Sequence, residues 1–211
     1  MLSGKESRVG VGLKPQAGAL KRLHPHVLFT YLGVSGIFFM FCVLLVAYAS
    51  AQLYTVKDAS ARLPFSFFVS SCVLVVSSGT IWLACRAQKA EQYKATIAWL
   101  TATVSLGLMF LALQLIGWNA LQLQGIYVNG FAAGSYLYLI SGLHLLHVVA
   151  GLVLVVWVMS FAVKATIDNI SALIYSTDKY RKLQLNLVAT YWHFMGALWL
   201  LIYLVFYLLA G

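Results

Sequence analysis

Charge is what this chain lacks most. Only 9% of its 211 residues are charged, and only five are Asp or Glu, against about 25% charged residues in an ordinary soluble domain. Hydrophobic residues make up 62%, more apolar surface than a water-soluble core of this length can hide. The shortage excludes a soluble globular protein and sets the class as an integral membrane protein. The five acids, Glu6, Asp58, Glu91, Asp168 and Asp178, all fall in tails or between apolar runs. That removes the membrane-embedded carboxylates on which proton relays and ion pumps depend. Cysteine is scarce as well: Cys42, Cys72 and Cys85 lie in apolar runs, with no CxxC pair and an odd count. A disulfide framework and a thiolate metal site are both excluded, leaving small buried hydrophobes as the reading. There is no Gly-rich phosphate loop, nucleophile elbow or carboxylate pair, so nothing reads as an active site.

What remains is apolar length. Five runs are long enough for the about 20 residues a helix needs to cross hydrocarbon: Val27–Ala49, Phe65–Cys85, Ala95–Leu115, Tyr136–Val163 and Leu187–Leu209. In lipid the backbone must satisfy itself, so these runs are expected to be helices. Ala49-Ser50-Ala51 resembles a signal cleavage site, but the run before it far exceeds the about 7–15 residues of a signal core, so it reads as a retained helix. The expected layout is a basic tail over 1–26 and a single five-helix transmembrane domain over 27–211.

The net charge of +9 raises the question of nucleic acid. Placement answers it, because the cations are topology signals. Lys5, Arg8, Lys14, Lys21, Arg22, Arg86, Lys89, Lys94, Lys164, Lys179, Arg181 and Lys182 fall on one side, and only Lys57 and Arg62 on the other. The stretch from Asn119 to Ser135, read as an outer loop, carries none. The bias orients the N-terminus to the cytoplasm and the C-terminus outside. Gly33, Gly36, Gly107, Gly142, Gly151 and Gly196 recur within the spans, where small residues let helices approach one another or a partner subunit. Gln114 and Asn119 are expected to hydrogen-bond between helices.

Three histidines sit at membrane depth, where an ionisable side chain marks a packed interior. His144 and His147 share one helix face, and His193 lies on the last span between Trp192 and Phe194. Two readings stand. One is metal or haem ligation, with His144 or His147 paired to His193 across helices in a small haem-b cytochrome or anchor. The other is hydrogen-bonded packing, in which His193→Leu orphans a partner group. A transporter predicts inverted repeats, and none is visible. The late aromatic run of Tyr191, Trp192, Trp199, Tyr203, Phe206 and Tyr207 reads as an interface belt or a wall against lipid.

Three motifs carry a resemblance. Tyr138-Leu-Ile-Ser-Gly142-Leu-His144-Leu-Leu-His147-Val-Val-Ala-Gly151, Ala189-Thr-Tyr191-Trp192-His193-Phe194 followed by Trp199, and Ser77-Ser78-Gly79-Thr80 resemble subunit III of the haem-copper oxidases. The likeness runs from about Val27 to Gly211, in the shorter five-helix bacterial form. It implies a subunit that binds no haem or copper itself and packs on the catalytic subunit I. That subunit stabilises subunit I, supports its proton uptake and holds phospholipid. Subunit II and other respiratory-complex subunits are further expected partners, with haem and copper in those partners. The setting is the bacterial inner membrane and aerobic respiration. Cytochrome c oxidase is the first reading and quinol oxidase the alternative. Three positions depart from the family: Gly36, Gly117 and Gly196 stand where it usually has carboxylates. All three glycines are expected on faces inside protein.

Overall fold

The computed structural model describes residues 25–53, 63–167 and 179–210. The basic tail over 1–24, and with it most of the expected 1–26 segment, lies outside the described residues, as do Lys57, Arg62 and the loop over 168–178. Five helices follow in order: α1 Pro25–Leu53, α2 Phe65–Lys89, α3 Tyr93–Leu123, α4 Ala132–Ile167 and α5 Lys179–Ala210. Each is long and apolar enough to cross a membrane, and no strand occurs among the described residues.

Every helix outruns its expected apolar core. α3 continues eight residues past Leu115, so Asn119–Leu123, read as loop, is helix. α5 begins at Lys179, well before Leu187. A hydropathy run marks only the stretch suited to hydrocarbon. The helical hydrogen bonds continue through the polar flanks, where Lys, Gln and Asn are good enough helix residues.

Packing follows a heptad rhythm. Thr96, Leu100, Thr103, Gly107, Phe110, Gln114, Gly117 and Leu121 are the buried positions of α3, alternating steps of four and three. α2 buries Phe67, Ser70, Leu74, Ser77, Ile81, Ala84 and Gln88 in the same way. Steps of three and four keep one stripe facing a neighbour at the shallow crossing common in helical bundles. α2 and α3 form a tight antiparallel hairpin, α4 and α5 pack on it and on each other, and α1 packs on α4 and α5.

Two turns fix the connections. After α3, the Ile126 N–H reaches Leu121 O and the Gly125 N–H reaches Gln122 O, with Gly125 at φ 79°. This is a Schellman cap, and the apolar pair Leu121 and Ile126 closes beneath it. After α2 the same cap recurs with Gln92 to Ala87 and Glu91 to Gln88. Here the left-handed position is Glu91, φ 59°, whose carboxylate lies 3.6 Å from the Lys182 ammonium of α5.

α1 shows its inner face through Phe41, Leu45 and Tyr48, all buried. Gly36 lies on the opposite side of that helix, exposed, with nothing near the place of an added Cβ. The expectation that it faces protein is therefore corrected within this chain: α1 touches the bundle through one stripe, and Gly36 is off it. Gly117 and Gly196 are buried. The cysteines also differ from expectation. Cys72 is exposed, and Cys42 and Cys85 are partly so, because a thiol suits an outward apolar face as well as a core.

Candidate functional site

The three motifs meet in one polar seam at the junction of α2, α3, α4 and α5. α2 supplies a ladder of hydroxyls on its inner stripe. The Trp199 indole N–H donates to Ser71 Oγ at 3.0 Å and the Trp192 indole N–H to Ser77 Oγ at 3.0 Å. The Gln114 amide of α3 donates to Ser70 Oγ at 2.9 Å, and Thr80 and Thr103 share a hydroxyl contact at 2.8 Å. Each α2 serine at positions 70 and 71 also donates to Phe67 O, so both lone pairs and protons find use. Most buried polar groups are paired in this way; among the described residues Gln114 Oε1 and His144 Nδ1 are buried without a partner.

α4 contributes the second motif along its buried stripe. Tyr138 donates to Ile126 O at 2.9 Å, tying α4 to the α3 cap. Ser141 accepts from the Trp118 indole at 3.0 Å, and the same indole lies 3.6 Å from a Cβ built at Gly142. The His144 Nε2 lies 3.0 Å from the Met195 carbonyl of α5. A carbonyl only accepts, so Nε2 carries the proton. The ring is fully buried among Phe41, Phe110 and Trp199, with ring centroids 6.2, 5.8 and 5.0 Å away. His147 Nδ1 lies 2.7 Å from its own helix's Leu143 O, to which it donates, and its backbone carbonyl accepts from Tyr191. At Gly151 an added Cβ would press on Tyr191 and Trp192 at 3.1–3.2 Å, so glycine lets α5 come close.

The histidines do not converge. His193 is exposed on α5 and faces the α2 side, lining a cavity with Arg86 and Lys89. His144 is engaged one face away. The expectation that His193→Leu orphans a partner is corrected: among the described residues no hydrogen bond holds the His193 ring, and the packing role falls to His144. We expect His144→Gln to keep subunit assembly near normal. His144→Leu should weaken it by about 1 kcal/mol for the lost bond, read as a shift in the thermal midpoint at which the chain leaves its complex. Equal loss in both variants would count against the bond. Among the described residues no group of three or more His, Cys, Asp or Glu side chains comes together.

Other expectations sort out by rotation. Trp192, Trp199 and Phe206 are buried, at steps of seven, so they form the α5 seam rather than a belt. Tyr191, Phe194 and Tyr203 are half-buried, and Tyr207 alone is well exposed. Within Ser77-Ser78-Gly79, Ser77 points inward, Ser78 Oγ lies 3.2 Å from a Cβ placed on Gly196, and Gly79 faces out. Asn119 is exposed and makes no bond between helices, whereas Gln114 does. Ser70, Ser71, Thr103 and Trp118 went unremarked in the motifs. Their signal was the heptad spacing of α2 and α3, a helical stripe in which polar residues recur.

Fold and seam together define a multi-pass helical membrane protein whose signature residues hold helices to one another. The sequence profile of the family Cytochrome c oxidase subunit III matches residues 27–210, and the chain belongs to that family. It is 29% identical over 146 residues to Cytochrome c oxidase subunit 3 of Alkalihalophilus pseudofirmus, covering 68% of this chain and 65% of the relative. It is 27% identical over 183 residues to Cytochrome c oxidase subunit 3 of Bacillus sp. PS3, covering 85% and 84%. With Cytochrome bo(3) ubiquinol oxidase subunit 3 of Pseudomonas aeruginosa it shares 27% identity over 176 residues, covering 82% and 79%. Several matched relatives, the first among them, are covered over slightly less than two thirds of their own length.

Proposed function

We propose that this chain is the non-catalytic subunit III of a bacterial cytochrome c oxidase. In this reading it packs on the catalytic subunit I, stabilises it through turnover, supports proton uptake and binds phospholipid. Haem and copper belong to subunits I and II. The end of the bundle that gathers Arg86, Lys89, Lys94, Lys164, Arg181 and Lys182 faces the cytoplasm of the inner membrane, as positive-inside placement requires.

One observation carries the reading: four of the motif side chains donate to acceptors elsewhere within this chain. The Trp192, Trp199, Tyr138 and His144 donors all end on internal acceptors. Such residues build a scaffold and leave no reactive group facing a substrate. The geometry separates the candidate haem ligands, since the His144 ring is enclosed by Phe41, Phe110 and Trp199 while His193 lines a cavity on the α2 side of α5.

The test is purification of the gently solubilised complex through a tag on this chain. A large haem-bearing subunit should come with it; its absence overturns the proposal, as does a haem spectrum from the isolated chain. The alternative is subunit III of a quinol oxidase, the name that other matched relatives carry. Copper analysis of the co-purified complex separates the two, because a two-copper centre in subunit II marks the cytochrome c branch.

A further inference from the structure

α2 and α5 diverge at the basic end of the bundle and leave a cavity of about 370 Å³ between them. Its walls carry Trp82, Arg86 and Lys89 from α2 and Asn186, Thr190 and His193 from α5. Among the described residues no acidic side chain lines it. The Arg86 guanidinium stands 5.7 Å over the Trp82 ring, which holds the cation at the rim. Among the described residues, no ion pair or hydrogen bond engages the side chains of Arg86, Lys89, Asn186 or His193. Thr190 donates to Asn186 O of its own helix and offers only lone pairs to the cavity.

The donors are graded by depth. Arg86 and Lys89 stand within the last turn of α2, where a headgroup phosphate lies. Asn186 and His193 are seven residues apart, about 10 Å along the helix axis, so His193 reaches below the cations to the level of ester carbonyls. Trp82 and Cys85 wall the path between these levels and the outward apolar face of α2, where Val75, Val76 and Gly79 are exposed. A free anion would use only the rim. A polar, cationic cavity continuous with an apolar outer face fits an amphiphile whose negative charge sits above its chains.

We infer that this cavity is a binding site for one anionic glycerophospholipid, its phosphodiester between Arg86 and Lys89 and an ester carbonyl toward His193. The inference rests on the subunit III reading for its membrane orientation and for its intact complex, and it assigns the lipid role to a particular place and charge class.

The experiment uses the purified complex, washed in detergent and titrated with phosphatidylglycerol, phosphatidylcholine or inorganic phosphate, with binding read by native mass spectrometry. Phosphatidylglycerol should be retained in preference to phosphatidylcholine. Arg86→Gln and Lys89→Gln should each weaken it about fivefold and together roughly thirtyfold, while Lys94→Gln, an exposed cation outside the cavity, should not. A photoactivatable phosphatidylglycerol on the unaltered complex should label the Trp82–Lys89 segment, which keeps the test valid if a variant fails to assemble. Equal binding of both lipids, unchanged binding in the double variant with labelling elsewhere, or competition by phosphate alone overturns the site. So does loss of a partner subunit from the double variant with its lipid retained, because that marks a polypeptide contact. Failure of the complex to form around the unaltered chain would strike the subunit reading instead and is scored separately by its haem content.

Discussion

Gly117→Glu, which places a carboxylate on the buried stripe of α3, should abolish incorporation of this chain into its complex. A Cβ at Gly117 would run into the Phe67 ring of α2, with Cδ1 at 2.7 Å and Ser66 Oγ at 3.0 Å. That ring cannot swing aside, because it is fully buried and packed edge-on to Trp199 at 6.0 Å. Overfilling costs about 1–3 kcal/mol, and a buried carboxylate without a partner adds at least as much. The steric share is isolated by alanine: Gly117→Ala should lose about 1–3 kcal/mol, whereas Gly36→Ala, with open space around it, should change little. Phe67→Ala combined with Gly117→Glu should recover part of the incorporation that the single Glu variant loses, the pattern expected of two residues in contact. No recovery in that double variant would show that Phe67 is not the obstacle. The observation behind the expectation is a substitution of volume: Phe67 fills the space beside α3 that a longer residue at 117 would need.

The span count and class were legible because hydropathy is one-dimensional and lipid imposes it on every residue of a run. Helix ends were not, since α5 starts among Lys179, Arg181 and Lys182, residues that hydropathy assigns to loop. The motifs were legible as units, but their rotation was not. Ser77 and Gly79 are neighbours in sequence and face opposite ways. His144 and His193 look alike as buried imidazoles in a string of letters, yet one is caged by three aromatic rings and the other lines an open cavity. The angular offset between two helices separated by a loop of unspecified geometry is not written in spacing. The within-helix stripe is: Thr96 through Leu121 alternates four and three without a break, and it alone would have moved Thr103 and Gln114 to the seam. Likewise Trp192, Trp199 and Phe206 share a seven-residue step, which argues for burial over an interface belt. Asn119 falls off the buried stripe of its helix and makes no bond between helices, and Gly36 falls off the stripe by which α1 meets the rest of this chain.

The same seam yields the second large effect, at Trp199. Its ring is fully buried and touches three others, with centroids at 6.0 Å to Phe67, 5.3 Å to Phe110 and 5.0 Å to His144. Trp199→Ala removes that common contact from α2, α3 and α4 together, and nothing nearby is free to collapse into the space. Core Trp→Ala changes cost about 3–5 kcal/mol, mostly from lost dispersion and the cavity left behind. This term survives in a membrane, where lipid gives no hydrophobic drive between helices and packing carries the association. Trp199→Phe keeps one aromatic ring and loses the N–H to Ser71 Oγ together with part of the indole volume. Since Ser71 still donates to Phe67 O, the cost should be about 1–3 kcal/mol. Trp99→Ala, on the outer side of α3 with 38% of its surface exposed, serves as the control and should cost far less than Trp199→Ala. Thermal dissociation of this chain from the purified complex reads all three. The expected order of destabilisation is Trp199→Ala first, then Trp199→Phe, then Trp99→Ala. If Trp99→Ala matched Trp199→Ala, the assembly would depend on the outer aromatic surface, and the four-helix junction would not be what holds this subunit together.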